Sequence, residues 1–140
     1  MINVLPGIDI TASALNAEKT RMDVVAQNIA NAQTTRGADG KPYQRQLVSF
    51  EAMLQATGAT RDSLGGGVKV AQIKNDTTPG PTVYNPQHPH ADAGGMVQMP
   101  NVNLAFEMVD LISSTRAYEA NLAVVKNAKQ MAHKALSIGR

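Results

Sequence analysis

Across 140 residues, thirteen Lys and Arg stand against eleven Asp and Glu for a net charge of +2, and the basic residues neither cluster on one face nor interleave with aromatics as nucleic-acid binders require. Cysteine is absent, which excludes disulfides, thiolate catalysis and thiolate metal ligands. The composition is globular at 43% hydrophobic, but 4% aromatic with no Trp promises only a small core.

The chain opens with a stretch free of Gly and Pro from Ile8 to Arg36, as an uninterrupted helix requires. Ile8, Leu15, Met22 and Ile29 recur every seven residues, with Val25 beside them, Ala12 and Ala26 in the neighbouring row and Glu18 interrupting the repeat. This is the heptad stripe of a helix that pairs with others. The first residues lack the apolar core of about 7–15 residues that marks a cleaved signal peptide, and no apolar run reaches the ~20 residues that span a bilayer. The expectation is a chain that is not inserted in a membrane and that any export machinery passes without cleavage.

The helix runs into "NIANAQTTRG", residues 28–37. Asparagine is a poor helix former whose amide competes for backbone hydrogen bonds. On spacing alone, Asn31 helps end the helix and Asn28 faces solvent.

Between Gly37 and Pro100, Gly and Pro are dense, so the middle is β-rich or irregular. Strand candidates are Tyr43–Ala52, Gly67–Ile73 and Pro81–Tyr84, with Asp39-Gly40 a hairpin-turn signal and residues 55–67 a flexible loop. The Gly65–Gly67 triplet has no Lys-Ser/Thr after it and reads as a hinge, not a phosphate loop. His88, His90 and Asp92 form a compact H-x-H-x-D of legitimate metal ligands, set beside Pro86 and Pro89 as in a structural turn.

From Asn101 to Ile138 Gly and Pro vanish again. Asn103 is a plausible N-cap, Glu107 lies in the first turn, and Lys126, Lys129, Lys134 and Arg140 suit the C-terminal dipole. Leu104, Leu111, Tyr118, Val125 and Ala132 recur at sevens with Met108, Leu122 and Leu136 beside them, which predicts a helix from about 103 to 137, roughly 50 Å long. Arg116 and Glu119 are spaced for an i, i+3 surface or intersubunit pair. No nucleophile and base share a face, so no catalytic residue and no cofactor are expected. A membrane-surface helix is disfavoured because the basic end offers Ala, Met and Val where bulky anchors belong.

The plan is α+β: two long terminal helices that pair in coiled-coil fashion (1–35 and 101–140) around a small β-rich middle (36–100). Alanine-rich helices bury little alone, and the expectation is that they order and pack among copies or similar chains. The candidate interface residues are Ile8, Leu15, Met22, Asn28, Ile29 and Asn31 on the first helix, and Leu111, Arg116, Tyr118, Glu119, Asn121, Leu122 and Val125 on the second.

The segments "ALNAEKTRMDVVAQNIANAQTTRG", "YNPQHPHADAGGMVQMPNVN" and "STRAYEAN" resemble the bacterial flagellar axial rod and hook proteins, with the likeness, strongest to the proximal rod members, covering nearly the whole chain. The resemblance implies a non-enzymatic structural subunit of the basal-body rod, with helices in an inner tube and a β-rich domain outside it. It further implies a rod that spans the periplasm, transmits torque and encloses the export channel, and it implies that Asn28 and Asn31 lie where the first helix leaves the tube, their amides bridging to backbone or to adjacent subunits. The implied partners are copies of itself, other proximal and distal rod proteins, a rod-base adaptor and the flagellar type III export apparatus. Two other readings stay open: a small metal-dependent enzyme built on His88, His90 and Asp92, and an adaptor that uses exposed helices.

Overall fold

Helix α1 (Pro6–Ala30) begins at a proline, whose missing N–H costs nothing in the first turn. It ends where Asn31 folds back: Asn31 N and Nδ2 both donate to Gln27 O, at 3.0 and 2.9 Å, and Asn31 Oδ1 accepts from Thr34 Oγ1 at 3.2 Å. The computed structural model describes residues 6–54 and 66–138. Helix α2 (Leu104–Ile138) is capped as its sequence demands, the Asn103 side chain accepting from the Ala105 and Phe106 N–H groups at 3.0 and 3.3 Å. The helices pair antiparallel, with Asn28 against Glu107 and Met22 against Thr115.

The middle holds two small antiparallel sheets. Strands β1 (Gln46–Leu54) and β2 (Gly66–Asn75) pair from Gln46↔Asn75 to Leu54↔Gly66, with a bulge between Ser49 and Phe50. They extend past the predicted bounds at one or both ends, and β1 starts later than expected because residues 43–45 leave the ladder to contact the helices. Of the predicted 55–67 loop, residues 55–65 lie outside the described residues, and Gly66 and Gly67 open β2. Strands β3 (Thr82–Tyr84) and β4 (Met96–Gln98) form the second sheet; β4 has no counterpart among the predicted strands. The Asp39-Gly40 turn exists, with Gly40 at φ 76° and its N–H on Gly37 O. It reverses the linker after α1, however, and joins no two strands.

The β1–β2 hairpin lies along α1. Val68 N donates to Ser13 Oγ at 3.0 Å near one end, and Asn28 holds the Gln46 backbone at the other. Ser13 to Asn28 is about 22 Å of helix and Gln46 to Ala52, the partner of Val68, about 20 Å of strand, so the two run in step. Contact with Ser13 is so close that a Cβ on Gly67 would stand 2.9 Å from its hydroxyl.

Among the described residues the buried aliphatic core side chains are Ala17, Val24, Val25 and Val97. The heptad stripe of α1 is therefore a flank: Ile8, Leu15, Met22 and Ile29 are half-buried, while the row containing Ala17, Val24 and Asn28 is sealed. Two partners cause this, since α1 meets α2 on one side and the hairpin on another, and the row between them is covered by both. Glu18, which breaks the stripe, keeps Oε2 buried with no hydrogen-bond partner among the described residues.

Candidate functional site

The buried centre where the helices and the hairpin meet is polar. Asn28 is 1% exposed, and its amide is fully used: Nδ2 donates to Gln46 O at 2.9 Å and Glu107 Oε2 at 3.0 Å, while Oδ1 accepts from Gln46 N and Tyr43 Oη, both at 2.9 Å. Glu107 is 0% exposed and also accepts from Arg45 Nε. Arg45 reaches Asp110 at 3.5 Å, and Arg21 approaches the other oxygen of that carboxylate at 3.3 Å. A second ring of bonds closes behind: Arg45 N donates to Asn101 Oδ1, Asn101 Nδ2 to Asp76 O, and Asp76 N to Arg45 O. A buried carboxylate is tolerated only when so paired and hydrogen-bonded. Burial and the Glu107 charge push the Tyr43 hydroxyl above its ordinary value of 10.0.

This knot locks the end of α1, the linker into β1 and the start of α2 to one another. Asn28 thus does not face solvent, and the hydrogen bonds its amide makes are all to its own chain. Asn31 acts locally as the end of α1. Leu111, Tyr118, Asn121, Leu122 and Val125 are half-buried. Arg116 and Glu119 are exposed, and the ion pairs found among the described residues do not include one between them.

Sequence reasoning passed over Arg45, Tyr43 and Asp110, which become partners only through the tertiary fold, and Phe106, Val109 and Ile112 on the outward face of α2, where the stripe residues Leu104 and Met108 also lie exposed. Phe106 is 68%, Val109 60% and Ile112 55% exposed. The signal was present: from Leu104 to Ile112 only Glu107 and Asp110 are polar, and both belong to the knot. A helix apolar all round is a helix meant to be covered.

The histidine loop does not assemble a metal site. His88 Nδ1 accepts from His90 N at 3.1 Å, His90 Nδ1 faces Thr35 Oγ1 at 2.8 Å, and Asp92 Oδ1 accepts from the Gly94 and Met96 N–H groups. Those bonds shape the turn into β4. No three His, Cys, Asp or Glu side chains converge as metal ligands among the described residues.

Residues 8–38 match the family model "Flagella basal body rod protein", and residues 93–138 match "Flagellar basal body rod FlgEFG protein C-terminal". Over 95% of its length the chain is 43% identical to the flagellar basal-body rod protein FlgC of Bacillus subtilis, covering 96% of that protein. The FlgC of Yersinia enterocolitica is 42% identical over 99% of this chain and all of its own length, and that of Borreliella burgdorferi 38% over 98% of each. The chain belongs to the FlgC family. FlgC proteins are structural subunits of the flagellar basal-body rod and not enzymes, and the metal-enzyme alternative is not favoured. Membership places the chain in the basal body, in assembly with other rod components. Among the described residues no helix is long and apolar enough to cross a membrane. The two matched regions contain Asn28, Glu107 and Asp110, whereas Tyr43 and Arg45 fall between them.

Proposed function

We propose that this FlgC polymerises, with copies of itself and with the other rod subunits, into the proximal part of the rod, which crosses the periplasm, transmits torque and encloses the export channel. In this reading α1 and α2 build the inner tube, segment 36–100 makes lateral contacts, and the chain arrives through the type III export apparatus without losing a signal peptide. Contacts with the rod-base adaptor and the distal rod belong to the same proposal. The observation that carries it is the open apolar face of α2 beside a core of few residues: burying such a face is worth about 25 cal/mol per Å², a gain the single chain leaves unrealised.

The test is deletion and complementation in the bacterium that encodes the chain. Cells without it should assemble basal bodies that stop short of a rod, secrete no hook subunits beyond the membrane and fail to swim, with recovery on re-expression. Normal swimming and complete rods in the deletion strain would overturn the proposal.

A further inference from the structure

The second sheet stands apart from the rest of the fold. Among the described residues β3 and β4 pair with each other and pack on no other helix or strand. At their root the two legs are pinned: Met99 N donates to Pro81 O at 2.9 Å, Gly80 lies against Met99 O with no room for a Cβ, and Asn101 Nδ2 donates to Asp76 O at 3.0 Å. The tip, residues 85–95, is a closed turn in which Asn85 N donates to Gly95 O and Asp92 N to Met96 O. Val97 is the buried side chain of segment 77–99. Among the described residues one hydrogen bond joins that segment to chain beyond its own root, the 2.8 Å contact of His90 Nδ1 with Thr35 Oγ1. Thr35 lies in the linker that leaves α1. We propose that β3–β4 is a hinged flap, clasped at its tip to that linker by His90, and that acid releases the clasp.

The chemistry of the clasp makes it sensitive to protons. Thr35 and Arg36 face His90 from the linker, and His88 faces it from the loop, the two rings 5.3 Å apart between centroids and inclined at 66°. The charges that act on His90 are those of Arg36 and His88, while Asp92, the nearest acid in the sequence, holds Oδ1 on the Gly94 and Met96 N–H groups. No ion pair among the described residues includes His90. The Thr35 hydroxyl can bond either form of the ring, so charge decides: an imidazolium there stands beside a guanidinium without an acid against it. His88 Nδ1 also accepts from His90 N at 3.1 Å, a bond that needs the nitrogen bare and is lost when a proton takes it. Burial first, then Arg36 and His88, accordingly hold His90 below its ordinary 6.5. The clasp is therefore at full strength above pH 6.5 and weakens as pH falls from there through the lower value of the closed state.

Amide hydrogen exchange on the purified full chain, read by mass spectrometry at about pH 7.5 and about pH 5 and expressed as protection so that slower intrinsic exchange in acid is removed, tests the flap. The expected result is a severalfold loss of protection in residues 34–36 and 85–95 at the lower pH, with the β1–β2 ladder and the middle of α2 unchanged. His90→Gln keeps a partner for the Thr35 hydroxyl and carries no charge, and should abolish most of that loss. Arg36→Gln, at an exposed position, should reduce it. Equal protection at both pH values in the parent, or a loss as large in His90→Gln as in the parent, would overturn the proposal. So would a loss shared by the β1–β2 ladder, which would mean that the chain melts as a whole. The rod function stands or falls separately, on swimming in the deletion strain.

Discussion

An asparagine amide has two N–H donors and an oxygen that accepts twice, and Asn28 uses all of them inside one chain. Asn28→Ala strands the Gln46 backbone and one oxygen of the buried Glu107, and is expected to cost about 2–4 kcal/mol of unfolding free energy by urea titration. Asn28→Asp keeps the acceptors but sets a second carboxylate about where Nδ2 stands, 3.0 Å from Glu107 Oε2. Two carboxylates that close raise a pKa, so the folded variant binds a proton more readily than the unfolded chain. Its stability should therefore fall, relative to Asn28→Ala, as pH rises from about 4 to 7; parallel pH profiles for the two variants would refute the geometry. His90 shifts the other way: burial first, then the charges of Arg36 and His88, hold it below its ordinary 6.5. The folded state thus resists protonation, and the stability tied to neutral His90 is present above pH 6.5 and lost as pH falls through the lower folded value. A His90→Gln chain should lose less of its thermal midpoint than the parent between about pH 7 and 5.

At the scale of elements, the strands hold their places through close backbone approach. A Cβ at Gly80 would stand 2.0 Å from Met99 O and 2.7 Å from Pro100 C, both backbone atoms on the path from β4 into α2. Gly80→Ala should cost about 1–3 kcal/mol, the usual range for overpacking, and should raise hydrogen exchange in β3 and β4 while sparing the mid-helix amides. An unaltered β3–β4 exchange pattern would show that the segment yields without strain. The two helices, the Asn103 cap and three of the four strands were readable in the sequence, because Gly and Pro punctuation and helical periodicity are local properties. The face of α1 that is sealed was not, since two partners share that helix and a heptad count assumes one. The knot was hidden for a related reason: Arg45 and Glu107 are 62 residues apart, and only the pairing of α1 with α2 and the hairpin brings them together. Strand β4 is three residues long, too short for alternation to declare itself.

For the whole molecule, the division between residues that fold the chain and residues that assemble it can be separated by experiment. Val24 is buried on α1, so Val24→Ala should remove about 1–3 kcal/mol from the isolated chain, through lost transfer energy and an unfilled space. Ile112 is as large and apolar but open to solvent in the single chain; Ile112→Gln should change the isolated chain's stability by no more than about 0.5 kcal/mol, as exposed positions do. In the cell the order should reverse. Glutamine at 112 places a polar amide on the face that assembly with neighbours is proposed to cover, and burying it unpartnered costs about 1–3 kcal/mol per contact. That cost repeats at every copy, so swimming and rod length should fail in Ile112→Gln. Cells carrying Val24→Ala should still swim, because neighbours that bind only the folded chain pull its equilibrium back. Paired measurements of urea midpoint on purified protein and swarm diameter on soft agar decide the matter. If Ile112→Gln swims normally, the outward face of α2 is not an assembly surface; if it unfolds the isolated chain, that face is part of the fold after all.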